Sequence, residues 1–455
     1  MDNIAHKRIE GIFDRDSFDL MDDLNPTLHI LGYGLINGKK VYCFSGIKDP
    51  DRINLIECFK RKIKWMESII KDPAPVIWIH DNFTQTVKGQ TPIPKSSDVL
   101  LASKDISIGR GFFLQTKIGN LCPQFSILYG NAGAAQTFPV RIADFVLLHK
   151  DSKMWIGRPD AVKLMLGSMP DPEDLGGSNM HCIKSGNGDM LFSEDEEAFN
   201  WIRSAIDILP LNINDKSRNI TKSKEPSSTI ENIYDVIPEN LNSPFDMKIL
   251  LNALVDEDSL TVIKQLYAQE VITGLARING NAIGIVANNS KFKGGVIFTE
   301  SLKKINQFME LCNKYKIPLL FLVDNPGLMV GTQSEQSGLL NETCRLFKNF
   351  SLKNSPRICL IIRKAYTVGL YAMGGSGFEP DQIWALPKAS ISVFGPKALE
   401  SFSKNRDLTE DTQKAIDEMY RHATNPQDYL DLNFIDKIIQ WNEIREKLSI
   451  FLSNI

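Results

Sequence analysis

KIPLLFLVDNPG, residues 316–327, is the stretch on which the fold turns. Its apolar run has no polar alternation and closes on an Asp-Asn-Pro-Gly turn signal. A strand buried on both faces of a parallel sheet has this pattern. Just upstream, ESLKKINQFMELCNKYK spaces Leu302, Ile305, Phe308, Met309 and Cys312 at helical intervals, which predicts one apolar face. Downstream, a second helical stretch leads to SPRICLIIRKAY, residues 355–366, another continuous apolar strand that starts beside a proline. KASISVFGPKALE, residues 388–400, closes the series. Strands alternating with helices predict an α/β fold.

The first half of the chain repeats this plan roughly 240 positions earlier, too long a period for a solenoid. APVIWIHDN, CPQFSILYGNAG and FVLLHKDSKMWIGRPDAVK follow one another as the later strands do. Pro75 stands to Pro318 as Pro123 stands to Pro356, and Gly157-Arg158-Pro159 answers Gly395-Pro396. The reading is two domains, residues 1–210 and 234–455. A polar linker joins them at 211–233, LNINDKSRNITKSKEPSSTIENI.

Each copy follows a buried strand with small residues: GNAGAAQT in the first, AYTVGLYAMGG in the second. Such turns read in two ways. They permit close helix–sheet packing, or they present free backbone N–H groups to an anion or to a carbonyl oxygen acquiring charge.

Composition narrows the function. The chain is 43% hydrophobic and 24% charged with net charge −3, so bulk electrostatics gives no reason to expect nucleic acid. The basic cluster Lys60, Arg61, Lys62 and Lys64 reads as the solvated face of a helix, with phosphate binding as the alternative. Seven cysteines and six histidines show no metal-ligand spacing, and the thiols read as free in a reducing compartment. No apolar run approaches the roughly 20 residues of a membrane helix, and the charged opening residues do not resemble a signal peptide. The expectation is a cytoplasmic protein without a metal.

GNAGAAQTFPVRIADF and DPEDLGGSNMHCIKSGNGD resemble the N-terminal half of the carboxyltransferase (beta) subunits of biotin-dependent acyl-CoA carboxylases. YDVIPENLNSPFDMK, GLARINGNAIGIVANN, IPLLFLVDNPGLMVG and RKAYTVGLYAMGG resemble the second half. HKRIEGIFDRDSFDLMDD and NFIDKIIQWNEIREKL are similar to the family's two ends, so the likeness runs nearly the whole chain in family order.

The resemblance implies two duplicated crotonase-like (ClpP/crotonase) domains, the first on the acyl-CoA side and the second on the biotin side. It implies a homodimer within a larger ring (a hexamer), its active site lying between the N domain of one subunit and the C domain of its partner. It also implies a mechanism. Carboxybiotin releases CO2, the biotin enolate removes the α-proton of the thioester, and the acyl enolate captures CO2. Backbone N–H donors hold both oxyanions, each worth about 2.7–4 kcal/mol by analogy with other oxyanion holes.

By resemblance, the thioester oxyanion falls on Ala134 and Ala135 and the biotin oxyanion on Val368 and Gly369. Gly133, Gly176, Gly177 and Tyr371 then line the acyl site, and Tyr366 and Gly327 the biotin site. Tyr371 stands where the family's acyl-pocket residue does, which hints at a short or unusual acyl chain. Alanine and valine replace family glycines, which puts in question the clearance and any left-handed backbone there. The family's glycine-rich loop after the first buried strand is replaced by HDNFTQTVKGQTPIPKS, residues 80–96, a departure that puts substrate enclosure in doubt.

Three functions stay open: carboxyltransferase, malonyl-type decarboxylase with or without biotin, and a catalytically weakened thioester-binding paralogue. No biotin-attachment or ATP-binding motif is evident, so a biotin carrier protein and a biotin carboxylase on other chains are expected. The substrate is an acyl-CoA or an acyl-carrier-protein thioester. Elsewhere, His80 and the Asp324-Asn325 pair read as structural, at a strand end and in a turn. Cys182 carries no sign of reactivity, and Gly374, Gly375 and Gly377 read as packing relief.

Overall fold

The computed structural model describes residues 4–21, 29–46, 55–81, 101–215, 220–393, 409–423 and 425–455. Most of the 80–96 loop, residues 216–219 of the linker, and Gly395-Pro396 lie outside the described residues. The chain divides into two compact units, Met1–Ser217 and Arg218–Ile455.

In the first unit the sheet strands are β1 (Asp19–Leu20), β2 (His29–Ile36), β3 (Lys39–Gly46), β4 (Val76–His80), β5 (Gln124–Leu128), β7 (Phe145–His149) and β9 (Met190–Phe192), adjacent in that order. The first three are antiparallel and the rest parallel. Beside them β6 (Asn131–Gly133) pairs in parallel with β8 (Lys153–Trp155).

The second unit repeats the order with β10 (Thr261–Ile263), β11 (Val271–Ile278), β12 (Asn281–Asn288), β13 (Leu319–Asn325), β14 (Arg357–Tyr366), β15 (Gln382–Ala385) and β17 (Lys437–Ile438). Its first three strands are again antiparallel and the rest parallel. Here β16 (Ser390–Ser392) pairs with the last three residues of β14. Thus the end of β14 does in one strand what β6 does as a separate one.

The matched prolines have matched work. Pro75 O accepts from Tyr42 N–H at 2.8 Å and Pro318 O from Gly284 N–H at 2.7 Å. Pro123 O accepts from Val76 N–H at 2.9 Å and Pro356 O from Leu319 N–H at 2.8 Å. Each proline thus opens a strand where its missing N–H is not needed and its carbonyl begins the ladder.

Every residue of β13 and β14 is buried, as a continuous apolar run requires. Leu302, Ile305, Phe308, Met309 and Cys312 are all buried along helix Thr299–Tyr315. That helix ends on Lys316 in a left-handed cap, φ 55°, immediately before Ile317-Pro318. Trp65, Met66, Ile69, Trp78, Leu114 and Ile118 form part of the first unit's core. Leu250, Ile285, Leu320, Leu360 and Leu448 belong to that of the second.

Among the described residues, no helix is long and apolar enough to cross a membrane.

Candidate functional site: two left-handed turns

The first turn leaves β6. Gly133 is extended, Ala134 has φ 51°, and a short 3-10 helix, Ala134–Gln136, leads into helix Thr137–Ile142. The first N–H groups of a helix have no partner within it, and in this 3-10 helix, whose first bond closes from Gln136 N–H onto Gly133 O, they are those of Ala134 and Ala135. Thr137 fixes the turn from behind. Its Oγ1 lies 3.1 Å from Ala132 O and 2.9 Å from Trp155 O, so one hydroxyl serves both strands of the β6/β8 pair.

Glycine is needed at 133. A Cβ there would sit 2.9 Å from Arg158 Cγ and 3.0 Å from Trp155 Nε1. Gly176 is constrained from the other side, its Cβ falling 2.3 Å from Met154 O and 2.9 Å from Trp155 Cε3. Gly133 and Gly176 therefore both close on β8. Gly177 caps the short helix Pro172–Gly176, and a Cβ there would meet the Glu173 backbone.

His181 adds a third support. Its Nε2 donates to Met154 O at 2.6 Å, which fixes the tautomer, and Nδ1 accepts from Ser185 Oγ at 2.9 Å and Asn187 Nδ2 at 3.2 Å. Burial holds its pKa below the usual histidine value. Cys182 is buried beside it.

The second turn leaves β14. Thr367 has φ 53° and ψ −146°, and helix Val368–Ala372 follows. Thr367 N–H donates to Ser392 O at 3.0 Å. Among the described residues the N–H groups of Val368 and Gly369 have no acceptor. Gly133 pairs with Trp155 as Tyr366 pairs with Ser392, so Ala134 and Thr367 are equivalent. The two left-handed residues stand at the same place in the two copies.

The match brings in Thr367, which the motifs did not single out. Val368 and Gly369 correspond to Ala135 and Gln136, one residue on from the first pair chosen by resemblance. An alanine and a threonine give no sequence sign of positive φ, so only the strand pairing reveals the register.

Behind the second turn lies a buried polar network. Asn325 Nδ2 donates to Gly369 O at 3.1 Å, while its Oδ1 accepts from Gly327 N–H at 2.7 Å. Arg363 grips Asp324 through two bonds, Nε–Oδ1 at 3.1 Å and the other nitrogen to Oδ2 at 2.9 Å. Lys364 Nζ stands 3.6 Å from the same carboxylate. Burial lowers the Lys364 pKa, against the opposing pull of Asp324.

Consecutive residues on one strand normally face opposite sides. Both reach Asp324 because the β13/β14 register shifts between Val323 and Asn325. Asp324 and Asn325 are therefore more than a turn signal. They close the strand and also brace two loops.

Of the other residues expected at the second site, Gly327 has φ 130° and lies against Thr367, where a Cβ would come within 2.9 Å of Oγ1. Tyr366 is buried with its hydroxyl 3.0 Å from Ser390 Oγ. Tyr371 is partly exposed on the five-residue helix, with its ring 5.9 Å from Phe378. Gly374, at φ 68°, packs on Phe321 and Phe350.

Two side chains depart from the sequence reading or sharpen it. Lys62 is not on a solvated face. Its ammonium lies 4.3 Å from the Phe44 ring centroid and 5.4 Å from that of Trp78, and burial pulls its pKa down to about 8. Its position three and four residues before Trp65 and Met66 was the overlooked signal. His80 is buried with Nε2 3.4 Å from Ser126 Oγ. Burial, reinforced by the charge of Lys62, lowers its pKa to about 3.

Open N–H groups at each turn can stabilise negative charge on oxygen. Neither turn carries an ionisable side chain, so charge stabilisation is what they offer. Among the described residues no group of three His, Cys, Asp or Glu is placed to hold a metal ion.

Comparison with known proteins gives this geometry its context. An uncharacterized carboxylase, YngE, of Bacillus subtilis (strain 168) is 38% identical over 349 residues, 75% of this chain and 68% of its own length. The propionyl-CoA carboxylase beta chain of Roseobacter denitrificans is 29% identical over 465 residues, covering 98% of this chain and 89% of its own. Methylmalonyl-CoA decarboxylase subunit alpha of Veillonella parvula is 27% identical over 460 residues, covering 97% and 87%.

Among solved structures, the transcarboxylase 12S hexamer core superposes with a TM-score of 0.87 at 23% identity, covering 99% of this chain and 89% of that one. The fold is accordingly the duplicated crotonase-like pair. A carboxyl transferase domain spans residues 3–454, and the chain belongs to the carboxyl transferase family.

Proposed function

We propose that this chain is the carboxyltransferase subunit of a biotin-dependent acyl-CoA carboxylase, moving a carboxyl group to or from the α-carbon of an acyl thioester. The observation that carries this reading is the pair of matched left-handed turns, each with open backbone N–H groups. The names of the relatives point the same way, one a propionyl-CoA carboxylase beta chain and another a methylmalonyl-CoA decarboxylase subunit.

In the first unit, Ala134 and Ala135 donate to the thioester oxygen as the α-carbon loses its proton or its carboxylate. In the second, Val368 and Gly369 donate to the ureido oxygen of biotin. Biotin, carried on another chain, supplies the transferable carboxyl. The second turn suits that oxygen, because its two N–H groups are the first of a helix and have no acceptor within it. Each donor is worth about 2.7–4 kcal/mol of barrier. Alanine at 134 is compatible with this role, since its backbone keeps the left-handed turn and its side chain is exposed.

A second copy of the chain is part of the proposal. Helix Pro159–Leu166 buries none of its residues within its own unit, and Leu164, Met165 and Leu166 are each at least 75% exposed. An apolar helix of this kind marks an interface. Leu164→Glu with Met165→Glu should reduce the mass seen by sedimentation, and an unchanged mass would remove this partner.

The name of the Veillonella relative supports decarboxylation as the second reading, since both directions share one thioester enolate. The deciding experiment incubates the purified chain with malonyl-CoA or methylmalonyl-CoA, with and without free biotin, and follows CO2 exchange. Exchange that needs biotin supports the transferase. Turnover without biotin supports the decarboxylase. Tight thioester binding with no exchange under either condition defeats both and leaves a thioester-binding paralogue.

A further inference from the structure

The turn after β14 holds a conformation that its own sequence resists. Thr367 is β-branched, yet it sits at φ 53° and ψ −146°, a region such residues avoid. Strain of this kind persists only where the surroundings over-determine it. Its own N–H is tied to Ser392 O at 3.0 Å. The remaining constraints meet in one side chain.

We infer that Asn325 is a positioning residue that holds Thr367 in this conformation and so aims the N–H groups of Val368 and Gly369. The inference rests on the proposed role of those two groups. Asn325 is fully buried, and its carboxamide bonds both flanking loops. Nδ2 donates to Gly369 O, beyond Thr367, while Oδ1 accepts from Gly327 N–H, whose backbone lies against Thr367 Oγ1.

The polarity is fixed. A flipped amide would set two donors together at Gly327 and two acceptors together at Gly369. Gly369 completes the fit, because a Cβ there would lie 2.8 Å from the Asn325 Cγ and Nδ2. The register shift ending at Asn325↔Ala365 brings the side chain to this place.

Asn325→Ala releases both loops, and Thr367 relaxes toward negative φ. Asn325→Asp keeps the shape and the acceptor but loses the donor to Gly369 O. Both variants are expected to lower kcat for biotin-dependent exchange by about 10²-fold, the scale of one lost oxyanion donor. KM for the acyl-CoA should stay unchanged, because the proposed thioester donors belong to the other turn.

The decisive variant is Asn325→Ala with Thr367→Gly. Glycine occupies positive φ freely, so the double variant should recover at least about tenfold of the lost kcat, half on a logarithmic scale of the roughly 10²-fold loss. No recovery, or a KM that rises in step with the loss, overturns the inference. A melting cycle provides a readout independent of activity. Thr367→Gly should raise Tm more with Asn325 present than absent, and strict additivity would refute the clamp. If the wild-type chain shows no biotin-dependent exchange, the transfer reading falls, while the clamp is still judged by that cycle.

Discussion

The two turns carry a residue of positive φ at the same place and are held by different chemistry. Around Ala134 the supports are neutral: the Thr137 hydroxyl on two carbonyls, and the His181 imidazole on Met154 O. Around Thr367 they are charged and deeply buried: Arg363 on Asp324, Lys364 beside it, and the Asn325 amide against the turn. Residue strain explains the difference. An alanine at φ 51° needs modest help, whereas a β-branched threonine at φ 53° needs much more. A duplicated scaffold thus kept a positive φ at this place while the means of enforcing it diverged.

The largest expected effect tests this difference directly. Arg363 also donates to Ser243 O at 2.8 Å and lies near Pro238 O and Asn240 O, so one guanidinium ties a strand to a loop. Arg363→Met leaves the Asp324 carboxylate buried without its main partner. A loss of about 3–5 kcal/mol is expected for breaking such a pair. Thr137→Val removes a single hydroxyl and should cost about 1–3 kcal/mol. Urea denaturation of the two variants measures both. Equal losses would mean that the charged network contributes no more than the neutral one.

Much of the fold was legible because it depends on long-range pattern. The continuous apolar runs of β13 and β14 and the four prolines give the duplication, and the structure uses each proline carbonyl in the same way. The turns were legible as places but not in register. Small residues mark where a backbone approaches something, yet Ala134 and Thr367 carry no sign of a left-handed φ. Asn325 reads as a turn former because its neighbours are Pro326 and Gly327, and no local signal points across the sheet to Gly369. Lys62 was misplaced for a different reason. A basic run looks solvated, although helical spacing sets this lysine with Trp65 and Met66.

Acid should separate the two units next. Five of the six histidines, His6, His29, His80, His149 and His181, precede residue 218, and only His422 follows it. Burial lowers the pKa of His80 to about 3 and lowers that of His181 as well. Each folded pKa lies below the unfolded value, so the unfolded chain binds more protons in acid. Their contribution is complete above about pH 6.5 and is lost as pH falls, at up to about 1.4 kcal/mol per unit for His80 until about pH 3. Hydrogen exchange at pH 5 against pH 7.5 should therefore show the first unit opening before the second. His80→Asn should flatten that dependence, and equal opening of both units would contradict the assignment.

The smallest effect is the most specific, because it predicts opposite signs at neighbouring residues. Ala134 is left-handed and exposed, whereas Ala135 has no positive φ and lies within the 3-10 helix. Ala134→Gly removes a Cβ from a conformation that disfavours it, so it should stabilise by about 0.5–1 kcal/mol despite the freer unfolded chain. Ala135→Gly gains nothing in the folded state and should destabilise by about 0.5–1 kcal/mol. Melting curves of the two variants, compared with wild type, decide the matter. Shifts of the same sign would mean that the strained position is not residue 134. The equivalence of Ala134 with Thr367 would then have to be redrawn by one residue.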